Sequence, residues 1–520
     1  MILNFALSLA SALMLVLLFP RFSFVWLAPV ALTPLLIACA RETRWKWRFL
    51  LGYTTGVVYW FGLCNWIQWT LAEHAGVGGA VAWLLFGLFC LAKAVQLGLF
   101  ALVAGTIWGN PIATPRGAGF RPALFAPPLI AALWVALEWT HSYTGFEWLN
   151  LGNAASDMSI LLRLAPFTGV WGLSFIFALM SAVIAAILLR RQRFASAWLL
   201  LLVGLFLLPG VPEPQRGAAT AVVIQPNMDD ETVWSTELLY RTEQRLRTLS
   251  LALAVPGSTD LIVWPEAPAP FYDTDPTFRN LVSSIARQTH TSLLAGAVAH
   301  APDKAPLNSA LLIDPAGTVE TRYDKVNLVP FGEFVPWPFG VLTSKVSTEA
   351  GDFEAGHNVV VSQLDTHRIA TFICYESVFP SYIRRFAANG AEALFNLSND
   401  SWFGKSPARY QHLQIVRMRA AENRRWIVRA TNNGISAVID PAGRLVHTLP
   451  EYQEAAARLR YGYRADQTFY TKYGDWFVLL CALLALAGVW GMRLRQAIPS
   501  QRQDRRFRAS RTRTRSGAYT

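Results

Sequence analysis

The chain has 520 residues, of which 53% are hydrophobic and 15% are charged, and it contains 20 tryptophans. A soluble globular protein has nearer ~25% charged residues, so the composition excludes an ordinary soluble enzyme and indicates an integral membrane protein with more than one domain. The formal net charge is +12, and nine arginines against one aspartate lie between Arg493 and Arg515. Beside a membrane span, such a tail is typical of a cytoplasmic anchor, and no nucleic-acid partner is expected.

Long apolar runs dominate the first 211 residues. They cover about 3–19, 24–40, 50–72, 77–105, 122–140, 161–189 and 195–210, and a further run covers Trp476–Trp490. Most are long enough to cross a ~30 Å hydrocarbon layer as helices. Basic residues concentrate in alternate loops, beginning with Arg41–Arg48, which places those loops in the cytoplasm.

The sequence therefore predicts an eight-helix membrane bundle and a separate polar domain. Residues 1–211 would form a membrane domain of seven transmembrane helices, and residues 475–492 the eighth helix. Residues 212–474, which follow a Pro/Gly linker, would face the periplasm or exterior, and residues 493–520 would form an Arg-rich cytoplasmic tail. Lys93 and Glu138 are ionisable residues inside the predicted spans, where such groups are costly and often functional.

Short strands alternate with helices in the polar domain, which predicts an α/β fold. We expect strands at 219–227, 261–264, 292–298, 308–313, 318–323, 369–373, 394–396, 426–430 and 436–439, and helices at 236–253, 278–289, 382–389 and 411–423. The tetrapeptide Asp-Pro-Ala-Gly occurs twice, at 314–317 and 440–443, each time between two apolar strands. This repeat hints at an internal duplication, although turn chemistry alone also favours these residues.

Three predicted strands end next to residues that suit acyl transfer through a thioester. Cys374 follows the apolar run Ile369–Ile373, Glu266 follows Leu261–Trp264, and Lys325 follows the strand that ends at Tyr323. A cysteine at the carboxyl edge of a sheet is a candidate nucleophile, a carboxylate a candidate general base, and a lysine a candidate oxyanion stabiliser. Taken singly, a glutamate or a lysine at such a position is usually just solvated. A single cysteine is also consistent with an inert buried thiol.

Neighbouring residues are weaker candidates. Glu333 would orient Lys325 or lower its desolvation cost, and Glu376 would do the same near the thiol or cap the following helix. His412 is expected to be a satisfied structural histidine. The other four cysteines lie in apolar runs, and no Cys/His spacing indicates a metal site, so neither a metal nor a cofactor is expected.

Four motifs together resemble the nitrilase superfamily. They are Trp-Pro-Glu at 264–266, Lys-x-x-Leu-Val-Pro-Phe-Gly-Glu at 325–333, Cys-Tyr-Glu at 374–376 and Asn-x-Ser-Asn-Asp-x-Trp-Phe at 396–403. With seven spans before and one after, residues 1–490 resemble the apolipoprotein N-acyltransferases, the membrane-bound members of that superfamily.

This resemblance implies an αββα sandwich on an eight-helix bundle in the bacterial inner membrane, with the sandwich facing the periplasm. It implies that Glu266, Lys325 and Cys374 form the catalytic triad and that Trp234, Glu333, Tyr375 and Glu376 support it. The acyl donor would be a phospholipid, and the acceptor would be the α-amino group of the diacylglyceryl-modified N-terminal cysteine of a lipoprotein.

Two other function classes remain open on the sequence. A membrane-tethered nitrilase-type amidase would use the same triad with water as the second nucleophile, but it would leave seven upstream spans without a role. A transporter with an extracellular sensing domain would need paired ionisable residues in its spans, and the sequence lacks them.

Overall fold

The computed structural model describes residues 1–74, 77–108, 120–190, 193–228, 234–334 and 353–497. The basic tail beyond Ala497 therefore lies outside the described residues. The helices before the linker are α1 Ile2–Leu17, α2 Thr33–Arg41, α3 Trp45–Cys64, α4 Trp66–His74, α5 Gly79–Trp108, α6 Phe120–Tyr143, α7 Ser159–Leu162, α8 Ala165–Thr168, α9 Val170–Arg190 and α10 Leu200–Gly204. The later helices are α11 Thr236–Leu253, α12 Pro276–Thr289, α13 Pro380–Ala388, α14 Ala408–Asn423, α15 Phe469–Tyr473 and α16 Trp476–Ala497.

The N-terminal part is a helical domain that is consistent with a membrane domain. Among the described residues, two helices are by themselves long and apolar enough to cross a membrane, Gly79–Trp108 in α5 and Val170–Leu189 in α9. The other predicted spans hold shorter or more polar helices. The run 24–40 is not one continuous helix, because α2 has only nine residues, or about 14 Å at 1.5 Å per residue. The run 195–210 contains short 3₁₀ turns and the five-residue α10.

Proline explains the break in the run 24–40. Pro34 occupies the first turn of α2, where its missing N–H costs nothing, and so it starts a helix rather than continuing one. Residues 28–32, directly before α2, are buried or half-buried in the bundle, and Ser181 Oγ of α9 donates a hydrogen bond to Pro29 O at 3.0 Å. Irregular backbone is tolerated at membrane depth when protein covers it.

Twelve strands form the two sheets of the polar domain. They are β1 Ala219–Gln225, β2 Leu261–Val263, β3 Ser292–His300, β4 Pro306–Ile313, β5 Val319–Asp324, β6 Ser362–Leu364, β7 His367–Ile373, β8 Ala393–Ser398, β9 Trp426–Thr431, β10 Ala437–Ile439, β11 Leu445–Thr448 and β12 Ala455–Tyr461. The first sheet has the order β12-β1-β2-β3-β4-β5, and the second β11-β10-β9-β8-β7-β6. All nine strands and four helices predicted from the sequence are present, with ends that differ by a few residues.

The two sheets have the same pattern of strand directions. Strands β1, β2 and β3 are parallel, followed by antiparallel β4 and β5, and an antiparallel edge strand, β12, pairs with β1. Strands β7, β8 and β9 are parallel, followed by antiparallel β10 and β11, and the edge strand β6 pairs with β7. The two Asp-Pro-Ala-Gly turns occupy equivalent β4–β5 and β10–β11 hairpins. The shared pattern supports the duplication that the repeated turn suggested.

Alternating side chains divide the first sheet into two buried faces. Val222, Ile224 and Ile262 belong to an apolar cluster with α11 and α12 on the outer face. Their neighbours Val223 and Val263 belong to a second cluster that contains the second sheet. This period of two is expected of a strand buried on both sides. With α13 and α14 on the far face of the second sheet, the layers are helix, sheet, sheet and helix, as predicted.

The second cluster does not stop at the sheets. It runs without interruption from Trp60 in α3 through Trp148 and Trp171 to Phe403 and Trp426 of the polar domain. Thr70 Oγ1 of α4 also donates to Trp402 O at 2.8 Å. The helical and polar parts therefore share one hydrophobic core.

Candidate active site

The predicted base and lysine lie in one buried polar cluster. Lys325 Nζ is 3.2 Å from Glu266 Oε1 and 2.9 Å from Glu333 Oε1. The lysine is 1% exposed, and each carboxylate is 7% exposed. Burial alone would lower the pKa of Lys325, but the two adjacent carboxylates raise it well above its usual value. Lys325 is therefore an ammonium ion throughout the physiological pH range.

Further donors fix the orientation of the two carboxylates. Asn308 Nδ2 donates to Glu266 Oε1 and to Glu333 Oε1, both at 2.8 Å. The backbone N–H of Asn399 donates to Glu266 Oε2 at 2.8 Å, and that of Val329 donates to Glu333 Oε2 at 2.8 Å. Both oxygens of each carboxylate are thus occupied, which holds the two side chains in one position. Glu333 therefore contacts Lys325 directly, and its supporting role stays a prediction.

Glycine allows the strand behind Glu266 to come close. A Cβ at Gly296 of β3 would lie 2.4 Å from Pro265 O and 2.9 Å from Glu266 Cα. Any larger side chain at this position would displace the segment that carries the candidate base.

Cys374 begins a sharp turn directly after β7. Its φ of +47° is in the left-handed region, which costs a non-glycine residue on the order of 1–3 kcal/mol unless the surroundings hold it. Glu376 Oε2 accepts a hydrogen bond from Ile373 N at 2.7 Å, just before the cysteine. His412 Nε2 lies 3.1 Å from Cys374 O, just after it. The peptide groups on both sides of the candidate nucleophile are therefore fixed.

Glu376 also connects the cysteine turn to the lysine segment. Its Oε1 accepts from Val326 N at 2.8 Å and from Asn327 N at 3.2 Å, directly after Lys325. Tyr323 OH donates to the same carboxylate at 2.6 Å. Burial raises the pKa of Glu376 to about 7 against the opposing effect of these donors.

His412 is a buried structural histidine, as predicted, and it contacts the backbone of the candidate nucleophile Cys374. His412 Nε2 lies within hydrogen-bonding distance of Cys374 O and Ser377 Oγ, at 3.1 and 2.8 Å. Burial and the nearby Arg429 guanidinium lower the pKa of His412, which keeps the ring neutral. His412 Nδ1 lies 3.2 Å from both Asp400 Oδ1 and Arg429 Nη2, so both ring nitrogens have polar partners.

The remaining predicted residues occupy different surroundings. Tyr375 OH donates to Gly145 O of the helical domain at 2.7 Å. Trp234 is half-buried and packs against the outer cluster, which also contains residues of α11 and α12. Its supporting role therefore stays a prediction.

Sequence reasoning missed Asn308 and the action of His412 on Cys374. An amide within the apolar strand Leu307–Ile313 was the available signal for Asn308, because a buried polar side chain needs partners.

The thiol of Cys374 is protonated at neutral pH. It is 7% exposed, and burial raises its pKa well above the usual value. Glu266 raises this pKa further, whereas Lys325 and a hydrogen bond with Ser398 lower it. The thiol needs a base at the moment of attack. Glu266 and Asp400 both raise the pKa of the thiol, and Glu266, which raises it more, is the candidate base.

We expect alkylation of Cys374 by iodoacetamide to increase about tenfold per pH unit between about pH 7 and 9, without levelling off. The reason is that the thiolate fraction grows tenfold per unit below the pKa. Peptide mass spectrometry of the modified cysteine gives the rate separately from the other four cysteines. A plateau beginning below about pH 8.5 would show an ordinary or lowered pKa and contradict the expectation.

Comparisons with known proteins find matches to both the helical and the polar parts of the chain. The carbon-nitrogen hydrolase family model matches residues 219–460, and the model of the apolipoprotein N-acyltransferase N-terminal domain matches residues 11–183. Apolipoprotein N-acyltransferase of Geobacter metallireducens is 33% identical over 503 residues, covering 92% of this chain and 93% of its own. The enzyme of the same name from Azotobacter vinelandii is 33% identical over 463 residues, covering 85% and 86%. Saccharomyces cerevisiae Nit3, of the nitrilase superfamily, aligns with 55% of this chain and 96% of its own, with a TM-score of 0.36 and 18% identity.

Proposed function

Because the chain belongs to the apolipoprotein N-acyltransferase family, we propose that it moves an acyl chain from a phospholipid to the N-terminal amino group of the diacylglyceryl-cysteine of apolipoproteins. One observation carries the assignment of residues. Cys374 stands on a constrained turn, in electrostatic contact with a buried Glu266–Lys325–Glu333 group, at the junction with the helical domain.

The first half-reaction acylates the cysteine. Glu266 accepts the thiol proton while Cys374 Sγ attacks the ester carbonyl of the phospholipid, and Lys325 stabilises the negative charge that develops on the carbonyl oxygen. When the tetrahedral intermediate collapses, Glu266 returns the proton to the departing lysophospholipid oxygen. A thioester remains on Cys374.

The second half-reaction transfers the chain to the lipoprotein. The α-amino group attacks the thioester, Glu266 takes the proton that the amine loses, and the amide forms as the thiol is regenerated. Both substrates use the same sulfur atom in turn, which predicts ping-pong kinetics. Glu333, Tyr375, Glu376 and Trp234 are proposed to support these steps.

A bilayer location suits both substrates. Exposing an acyl chain to water costs about 0.8 kcal/mol per CH₂ group, so an enzyme seated in the membrane receives its substrates laterally at far lower cost. We propose that residues 1–211 and 475–492 cross the bacterial inner membrane eight times, with α2 and α10 as parts of crossings that also contain irregular turns. Residues 212–474 would then face the periplasm and residues 493–520 the cytoplasm, in agreement with the positions of the basic loops.

The hydrolytic alternative is not favoured. The N-terminal family model describes a domain of N-acyltransferases, and a simple amidase would have no use for it. The transporter alternative has no comparable support.

The proposal is tested by following acyl groups on the protein. Purified enzyme is incubated with phosphatidylethanolamine that carries an isotopically labelled acyl chain, and the Cys374 peptide is analysed by mass spectrometry. We expect a thioester that persists until a diacylglyceryl-cysteine peptide with a free amino group is added. The same peptide with an acetylated amino group is the control. Loss of the adduct at equal rates with both peptides would indicate a hydrolase, and label on another residue would refute the assignment of Cys374.

A further inference from the structure

The helical domain buries several ionisable side chains that take no part in the reaction described above, and two of them lie next to the polar domain's support. Lys93 of α5 and Glu138 of α6 are each 6% exposed. Both contact the segment 144–155 that follows α6, which we call the seat segment because the polar domain rests on it. Burying an ammonium group is costly unless its donors are all used, so the contacts of Lys93 indicate what it does.

Lys93 holds the beginning of the seat segment. Its Nζ donates to Phe146 O at 3.0 Å and to Thr144 Oγ1 at 3.1 Å, and it contacts His141 Nδ1. The ammonium also lies 5.1 Å from the centre of the Trp60 ring. Its Nζ atom thus has three polar partners within six residues of chain.

Glu138 holds the middle of the same segment. Its Oε1 accepts from Leu151 N at 2.6 Å and from Trp134 Nε1 at 3.3 Å. Asn150 Nδ2 donates to Glu147 Oε1 at 2.9 Å within the segment. The seat segment is therefore attached to α5 near its beginning and to α6 at Leu151.

Residues of the seat segment contact Tyr375, in the turn that carries Cys374, and also His412. Gly145 O accepts from Tyr375 OH at 2.7 Å, between Thr144 and Phe146, the two partners of Lys93. The Phe146 ring centre is 6.4 Å from that of Tyr375. Trp148 Nε1 donates to Gln411 at 2.7 Å, and its ring centre is 5.8 Å from that of His412. Tyr375 is the residue directly after Cys374.

We propose that Lys93 is a positioning residue for Cys374: it fixes the seat segment, whose Gly145 carbonyl holds Tyr375 and thereby the turn that carries the nucleophile. The inference rests on the proposed function for its activity readout. It assigns a role in the reaction to a lysine of a membrane helix that lies outside the triad. A displacement of about 1 Å at a reacting atom can lower a rate on the order of 10²-fold, so a remote support of this kind has a measurable effect.

The test compares Lys93→Met with a matched change on the same helix. Methionine has a similar length but no donors. Gln96→Leu removes the 2.6 Å hydrogen bond from Gln96 Nε2 to Thr140 Oγ1, which also joins α5 to α6 but does not contact the seat segment. We expect Lys93→Met to slow acylation of Cys374 by labelled phospholipid about 10-fold or more, with KM changed less than about threefold, and Gln96→Leu to change the rate less than about twofold.

Two further measurements separate positioning from general damage. Tyr375→Phe removes the hydrogen bond to Gly145 O without altering a membrane helix. If Lys93 acts through this bond, the double variant Lys93→Met/Tyr375→Phe is no slower than about twice the slower single variant. The alkylation rate of Cys374 is measured in parallel and needs no lipid substrate.

Each outcome has one meaning. Equal rates for Lys93→Met and Gln96→Leu, or multiplicative effects in the double variant, would overturn the positioning role while leaving the proposed function intact. Failure of the wild-type protein to form any thioester would overturn the proposed function instead. A Lys93→Met protein that does not insert leaves Tyr375→Phe as the deciding variant, because an unchanged acylation rate there would refute the link.

Discussion

Replacing Cys374 by serine is expected to lower acyl transfer on the order of 10⁴-fold or more, equivalent to about 5.5 kcal/mol of transition-state stabilisation. Serine preserves the shape of the turn but substitutes a hydroxyl that is far harder to ionise than a thiol. The raised pKa of Cys374 already makes its attack dependent on a base, and the hydroxyl increases that dependence. Transfer of labelled acyl chains to a diacylglyceryl-cysteine peptide, measured in membranes, gives the rate.

Cys481→Ser is the matched control, because it makes the same exchange at a buried cysteine of α16. It should retain activity within about twofold, because α16 contains none of the candidate site residues. Residual transfer by Cys374→Ser above a few per cent of wild type, in protein inserted at normal levels, would disprove the nucleophile assignment.

Glu266→Gln is expected to change two rates in opposite directions. Acyl transfer should fall about 10²–10⁴-fold, because the amide cannot take the thiol proton. Alkylation of Cys374 by iodoacetamide should become faster at a given pH, because the negative charge that raises the pKa of the thiol has been removed. Both rates are measured on the same preparation, the first with labelled phospholipid and the second by peptide mass spectrometry.

The pH profile of alkylation distinguishes the loss of a base from loss of structure. An unfolded site would give the thiol an ordinary pKa near ~8.5, and alkylation would level off above that pH, whereas a folded Glu266→Gln site keeps the burial that raises the pKa. The amide nitrogen of glutamine will also face either Asn399 N or Lys325 Nζ, both of which are donors to the native carboxylate. A Glu266→Gln protein that transfers acyl chains at more than about a tenth of the wild-type rate would exclude Glu266 as the general base.

The positions of the three candidate residues were predictable because each lies at or shortly after the end of a strand. Strand position is a local property, and Glu266, Lys325 and Cys374 follow β2, β5 and β7 in the structure. The order of these residues also carried the family resemblance. The contact of Glu333 with Lys325 was predictable for the same reason, since only eight residues separate them.

Long-range partners were not predictable from local pattern. The bond from His412 to Cys374 O spans 38 residues, and the bridge from Asn308 to Glu266 spans 42. Strands β6, β11 and β12 were missed because they are short or carry exposed residues, so they lack a clear apolar alternation. Apolarity alone likewise overestimated continuous helix at 24–40, where Pro34 restarts the helix.

The hydrophobic core shared by the helices and the sheets determines how the protein responds to cleavage and to heat. Trp148 and Trp171 pack in the same cluster as Phe403 and Trp426, so severing the chain at the linker 209–214 would strip apolar surface from both pieces. A fragment that contains only the sandwich would expose this apolar surface, and we expect it to aggregate rather than to remain a soluble hydrolase. Because the two parts share this core, heating the intact enzyme should unfold the helical domain and the polar domain in one cooperative step.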